Sequence, residues 1–231
     1  MKIVVFGANG PTGRLLTQQA ITAGHQVVAV TRRPGDFPLS HVRLTVENAD
    51  VRDSEAVDRA VTGADAVLST LGTPFSRAPI TLYSEGIRAI TRAMTHHGVK
   101  RLVAVTSSAT EPRRHADGGF LMNWIMQPLV VATIGRTTYA DMRLMEQHLR
   151  DGNLDWTVVR PSGLFDAPAV TAYELHENHA PGVFTSRADL AAALLEQATD
   201  TRFVHRNVAV TTTEGTPTVW QMLRREALGR D

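Results

Sequence analysis

The sequence predicts an α/β protein built on a parallel, doubly wound sheet with helices on both faces. Three observations predict it. Short β-rich runs alternate with longer segments of helical pattern through most of the chain. The runs KIVVF, QVVAVT and RLVAVT are continuously apolar, which is how strands covered on both faces read. The first run also passes straight into a glycine-rich turn, GANGPTG, and then a helical segment, RLLTQQAITAG.

The elements follow in order. KIVVF is the first strand, with a helix from about Gly13 to Ala23 after it. QVVAVT (26–31) is the second strand, and VRLTVENAD follows as an extended stretch. DSEAVDRAV forms a helix with Ser54 as its N-cap, and ADAVLSTLG a strand. LYSEGIRAITRAMTHHG is a helix stopped by Gly98. RLVAVTSSA is a strand, TTYADMRLMEQHLRDG a helix and LDWTVVRPSG a strand. After Gly163 the pattern changes. YELHENHAPGVFT is loop-like with short extended pieces, and SRADLAAALLEQAT is a helix with Ser186 as N-cap. NVAVTTT is a late strand, and a last helix is expected from about Thr218 to Leu228. No linker or repeat divides the 231 residues. One domain is therefore expected, with its core over about 1–163 and a small C-terminal, substrate-side region over about 164–231.

Composition removes several function classes. The net charge of +1 leaves no large basic face for nucleic acid. With no cysteine there is no disulfide framework, thiolate nucleophile or Cys-ligated metal. The first strand is expected to begin at residue 2, so no signal peptide is expected. The uncharged, mostly apolar stretch Phe120 to Gly135 carries Asn123, Gln127 and Pro128 and is too short to span a bilayer. The expectation is a soluble, cytoplasmic protein with a small-molecule substrate and neither nucleic-acid nor membrane partners.

Gly7, Gly10 and Gly13 form G-x-x-G-x-x-G between the first strand and first helix of a βαβ unit. The first glycine permits the tight turn, the second lets backbone approach a pyrophosphate, and the third lets helix pack on sheet. The N–H groups at the helix start then face phosphate. Pro11 stands where a missing N–H matters little, and Thr12 offers a hydroxyl. An NAD site usually places an acid at the end of the second strand for the ribose. This chain has Thr31-Arg32-Arg33-Pro34 instead. Two guanidiniums suit a 2′-phosphate, so the expected cofactor is NADP(H).

The order GANGPTG, TRRP, ADVRD, ADAVLSTLG and HHGVKRLVAVTSSA resembles the atypical short-chain dehydrogenase/reductases, from residue 1 to about Gly163. It looks most like the group holding biliverdin reductase B-type flavin reductases and NmrA-like proteins. The resemblance implies a Rossmann-type fold and extends the cofactor site from the glycine loop, Asn9 included. It sets Asp50 and Val51 at the adenine, Leu71, Gly72 and Thr73 along the cofactor, and Pro161 and Ser162 near the nicotinamide.

The best-known members of that larger family use a serine and a tyrosine, with a lysine four residues after the tyrosine. Only two basic residues here are lysine, Lys2 and Lys100; the other 22 are arginine. The pair therefore cannot exist downstream of the serine strand. Tyr139 with Arg143 is the nearest substitute, because a guanidinium could lower a phenol's pKa by its charge. A second register is open: if Glu146 matches the family's acidic residue, the paired positions are Thr138 and Met142. Ser107 and Ser108 follow RLVAVT at the sheet's C-terminal edge. By the resemblance Ser107 is the better match for a residue that polarises the acceptor. Ser162 stands where biliverdin reductase B-type proteins have a histidine.

Residues 111–137 join a polar segment, EPRRHADGG, to an apolar one bearing Phe120, Met122, Trp124, Ile125 and Met126. A lid and pocket wall for a flat substrate is one reading; a core helix or homodimer contact is the other. His176 and His179, with Glu174 and Glu177, lack zincin spacing, and no metal is expected. The function expected is an NADPH-dependent reductase of a small conjugated or aromatic acceptor such as a flavin or quinone. The alternative is a non-catalytic, NmrA-like sensor of NADP(H).

Overall fold

The structure, a computed structural model, describes residues 1–76, 78–111 and 135–218. Along the chain lie β1 (Lys2–Phe6), α1 (Pro11–Thr22), β2 (Gln26–Thr31), β3 (Leu44–Asn48), α2 (Ser54–Val61), β4 (Ala66–Ser69), α3 (Leu82–His96) and β5 (Arg101–Val105). They are followed by α4 (Arg136–Arg150), β6 (Asp155–Pro161), β7 (Gly163–Phe165), β8 (Tyr173–Glu177), β9 (Phe184–Ser186), α5 (Arg187–Glu196) and β10 (Arg206–Thr212). The expected final helix and most of the expected lid lie outside the described residues.

Eight strands form one sheet in the order β3-β2-β1-β4-β5-β6-β10-β8, with β7 and β9 paired apart. Among the described residues, only the β10–β8 pair of the large sheet is antiparallel. The order runs outward in both directions from β1 and β4, so the sheet is doubly wound and Rossmann-like, as expected.

The unbroken apolar strands have the predicted cause. Val4 and Phe6 of β1 pack with α2, α3 and α4 on one face. Ile3 and Val5 pack with α1 and α5 on the other. Successive side chains point to opposite faces, so a strand covered twice has no position left for a polar residue.

One cap differs from expectation. Asp53, not Ser54, caps α2, its carboxylate accepting from the N–H groups of Glu55 and Ala56. A carboxylate also complements the positive end of the helix. α3 ends at His96, and Gly98 just beyond it adopts φ 69°, the left-handed stop that favours glycine. Ser186 caps α5 as expected, accepting from the Asp189 N–H at 3.0 Å.

The segment expected to be loop-like contains β8. Tyr173 and Leu175 turn toward the core while Glu174 faces water, so an edge strand solvated on one side reads as polar. Among the described residues no helix is long and apolar enough to cross a membrane.

Candidate functional site

The C-terminal ends of β1, β2, β4, β5 and β6 border one cleft of about 500 Å³. It opens where the strand order reverses, the position at which open α/β sheets bind ligands. Its wall holds Gly7, Asn9, Gly10, Pro11, Thr12 and Gly13, then Arg32 and Arg33 after β2. Asp50 and Val51 after β3, Leu71, Gly72 and Thr73 after β4, and Pro161 at the end of β6 also line it. Three expected residues, Ser107, Tyr139 and Ser162, are not in this wall.

The three loop glycines have separate physical reasons. Gly7 sits at φ 77°, and a Cβ there would lie 2.6 Å from the Thr70 carbonyl oxygen. The Thr70 hydroxyl donates to the Phe6 and Gly7 carbonyls and holds this turn against β4. A Cβ on Gly13 would fall on the Gly7 carbonyl oxygen and within 2.8 Å of the Ala8 Cα. Gly10 is different: its φ of −72° suits any residue, and its Cβ would approach only the Gly7 oxygen, at 3.3 Å. The missing side chain at position 10 therefore keeps the cleft open. Gly10 is also the N-cap of α1, with no side-chain cap bond among the described residues and no acid in the first turn. α1 thus presents free N–H groups to the cleft, as a phosphate site requires.

The two arginines are not equivalent. Arg33 is 77% exposed and lies 3.5 Å from Asp36. Arg32 is exposed and has no ion-pair or hydrogen-bond partner among the described residues. The Asp50 carboxylate accepts from the Arg52 N–H at 2.9 Å and shapes the turn after β3. Together the open cradle, the uncapped helix and the free guanidinium fit a phosphorylated dinucleotide.

The wall also contains Met142 and residues the sequence reading missed: Thr106, Tyr83, Leu164, Arg187 and Leu190. Tyr83 lies in the first turn of α3, which Asp141 of α4 caps from outside, accepting from the N–H groups of Tyr83 (2.8 Å) and Ser84 (3.3 Å). Gly86, one turn further, lets Val51 and Leu71 close on α3; a Cβ there would stand 2.8 Å from Leu71 Cδ1. Arg187 follows the α5 cap and pairs with Asp166 at 2.8 Å.

Tyr139 feels the Ser107 side chain, although neither residue lines the cleft. Tyr139 is 8% exposed, with its ring edge-on to Phe75 at 5.9 Å. Burial pushes its phenol pKa up, and a hydrogen bond with the Ser107 side chain pulls the other way. Ser107 also caps a short 3₁₀ turn, accepting from the Ala109 N–H at 3.2 Å.

The expected help from Arg143 is absent. Its Nε donates to the Thr110 carbonyl at 2.7 Å, and the phenol is shifted upward, not lowered. In α4 it is Met142 that faces the cleft, in line with the second register, while Thr138 is buried with no partner for its hydroxyl among the described residues.

Glu146 explains that rotation of α4. Arg160 of β6 grips it through two bonds of 3.0 and 2.6 Å, and Thr106 donates to it at 2.8 Å. The ion pair is only 4% and 3% exposed, so it fixes the rotation of α4 over the sheet. Ser162 is occupied structurally: its N–H donates to the Thr185 hydroxyl and its hydroxyl to the Gly182 carbonyl. His176 pairs with Glu174 at 2.9 Å in β8, and no metal-compatible group forms there among the described residues.

A glycine-lined strand-to-helix cleft at the switch point of a doubly wound sheet defines a dinucleotide-binding protein. The chain belongs to the NAD(P)H-binding family, whose profile matches residues 7–201. It is 31% identical over 166 residues, or 71% of its length, to an uncharacterized protein of Mycobacterium tuberculosis. That match takes in 15% of the relative, so the chain spans a small part of the length of such curated relatives. Among solved structures it resembles a wide-type short-chain dehydrogenase/reductase from Veillonella parvula in complex with NADP. The TM-score is 0.75 at 20% identity, covering 92% of this chain and 95% of that one. It also resembles ChuY, an anaerobillin reductase from Escherichia coli O157:H7. There the TM-score is 0.71 at 21% identity, covering 94% of this chain and all (100%) of the other. At these identities the likeness is one of fold.

Proposed function

We propose that this protein is an NADPH-dependent reductase of a small conjugated or aromatic acceptor, of the flavin or quinone class. The observation that carries the reading is the Ser107–Tyr139 contact: a neutral, buried phenol next to the cleft, with no lysine to ionise it. Such a donor is a weak acid. It suits an acceptor whose negative charge spreads over a conjugated system, more than a simple ketone that needs strong protonation. The solved ChuY structure, an anaerobillin reductase, supports the class by analogy of fold.

When bound, NADPH supplies a hydride. The chain's part is to hold and orient. The N–H groups of α1 and the space at Gly10 would take the pyrophosphate, Arg32 the 2′-phosphate, and Val51 and Leu71 would wall the adenine side. Ser107 would orient the acceptor and pass a proton held on Tyr139. Leu164, Arg187 and Leu190 would border the substrate side. The same reading treats the whole chain as one NAD(P)-binding domain, which β10 pairing with β6 supports.

The test is NADPH oxidation, followed by its absorbance, with FMN, FAD and a quinone panel. Turnover with at least one acceptor is expected. Tight NADPH binding without turnover across the panel favours the alternative, an NADP(H) sensor, which the position of Ser107 and Tyr139 behind the cleft wall would then explain.

A second prediction concerns Tyr139. Because burial raises its pKa, the proton-bearing form persists from about pH 6 to 9 and is lost only above the ordinary tyrosine value of about 10. The kcat profile should therefore show no tyrosine limb in that range, and Tyr139→Phe should lower kcat about tenfold with KM little changed. An alkaline or acid limb near pH 7–8 that Tyr139→Phe removes would mean an ionised phenol and would contradict this role.

A further inference from the structure

We propose that Asp58, His96 and His97 form a binding site for a borderline divalent cation of the Zn(II) type, which clips α2 to α3 at the end of the sheet opposite the cofactor cleft. Asp58 is on α2; His96 is the last residue of α3 and His97 its cap. His96 Nδ1 lies 2.8 Å from one Asp58 oxygen and His97 Nε2 3.0 Å from the other. The three ligand atoms all lie within 4.8 Å of one another.

A tetrahedral Zn(II) with bonds of about 2.0–2.1 Å sets its ligand atoms roughly 3.3 Å apart. The two His–Asp58 spacings lie within about half an ångström of that value, and the remaining separation, within 4.8 Å, closes by at most about 1.5 Å through side-chain rotation. The two ring nitrogens that now bridge to Asp58 are the ones that would take the metal. In a neutral imidazole the displaced proton moves to the other nitrogen of the same ring, so ligation requires no other base. Asp58 contributes the negative charge, and the carbonyl end of α3 adds a favourable dipole for a cation. Two imidazoles and one carboxylate select Zn(II), Ni(II) or Cu(II) over Mg(II) and Ca(II), which prefer all-oxygen shells.

Side-chain exposures of 70% at His96, 35% at Asp58 and 20% at His97 leave water access for a fourth ligand. Thr62 Oγ1, 3.4 Å from His97 Nε2, is the next polar atom, and the Lys2 ammonium sits on the Thr62 carbonyl. Three protein ligands with a lysine close by give a site of moderate, micromolar affinity.

The role is mechanical. α3 starts at the cleft with Leu82 and Tyr83 and runs 15 residues away from it, a length of about 22 Å. A metal at its far end cannot touch the cofactor. It would replace the present Asp58–histidine hydrogen bonds with a firmer tie between two helices that also share apolar contacts.

The experiment uses the whole chain without an affinity tag, stripped of metal. Calorimetric titration with Zn(II) should give one site per chain with Kd about 1–10 µM, and no comparable response to Mg(II). At about a hundredfold excess over Kd, Zn(II) should raise Tm by about 5 °C or more, reversibly with a chelator. Asp58→Asn and His96→Ala/His97→Ala should weaken binding at least about tenfold while NADPH affinity stays unchanged. If the double variant fails to fold, His96→Ala alone carries the test, since that ring is largely in solvent. Equal Zn(II) binding by wild type and variants, or none at all, would overturn the proposal, as would an equal Mg(II) response.

Discussion

Arg32→Glu should cut the preference for NADPH over NADH by about a hundredfold or more. The 2′-phosphate is the only chemical difference between the two cofactors, so their affinity ratio isolates the group that binds it. Charge-assisted hydrogen bonds contribute about 1.5–3 kcal/mol each, and the glutamate adds repulsion to the loss. A total near 3 kcal/mol corresponds to roughly two powers of ten. Arg32 can deliver this because its guanidinium has no other partner among the described residues. For the same reason the substitution should leave Tm almost unchanged, which separates a binding defect from a folding one. NADH affinity should hold or rise, because a carboxylate at the end of β2 can accept from the ribose hydroxyls. Arg33→Ala should do much less, since Arg33 is exposed and already beside Asp36. The measurement is the pair of dissociation constants at one fixed salt concentration, because screening weakens both. An unchanged ratio would remove Arg32 from the cofactor site.

How far the site was legible depended on how far each feature follows from local spacing. The glycine loop and the arginines after β2 are local: three residues fix a turn, and the end of a strand fixes where the next side chain points. They could be placed from the sequence, and the cleft contains them. The rotation of α4 is not local. Tyr139 and Arg143 stand one turn apart and look like a pair. Which face of α4 meets the sheet is decided by Glu146 gripping Arg160, a helix residue and a strand residue that no short motif links. That contact sends Met142 to the cleft and leaves Arg143 to the Thr110 carbonyl. Gly86 was missed because its neighbours, Val51 and Leu71, come from other loops. The Asp58–His96–His97 cluster was missed for the same reason: 38 residues separate Asp58 from His96, and no known ligand spacing joins them. β8 shows in the sequence only as a short extended piece of a loop-like segment, because one solvated face dilutes its apolar signal.

Gly10→Ala and Gly13→Ala, chemically the same substitution three residues apart, should fail in opposite ways. At Gly13 the new methyl would collide with the Gly7 carbonyl and the Ala8 backbone, which are the tight turn itself and cannot rotate away. α1 must lift off the sheet, and overpacking of this kind costs about 3 kcal/mol or more. Gly13→Ala should therefore show a clear fall in the denaturant midpoint and lose cofactor affinity as a consequence. At Gly10 the backbone is already in a region open to alanine, and the only close neighbour is one oxygen at 3.3 Å. Alanine is a poorer N-cap than glycine, but it also restricts the unfolded chain, and these effects of about 0.5–1 kcal/mol oppose each other. Gly10→Ala should keep the wild-type stability to within about 1 kcal/mol. Its methyl, however, projects into the space where phosphate oxygens must approach the α1 N–H groups. NADPH affinity should drop about 30-fold or more, which corresponds to about 2 kcal/mol. The comparison needs equilibrium unfolding and a cofactor titration on both variants. A Gly10→Ala protein that folds and binds NADPH like wild type would show that position 10 is a turn residue only, and the pyrophosphate would have to be held elsewhere.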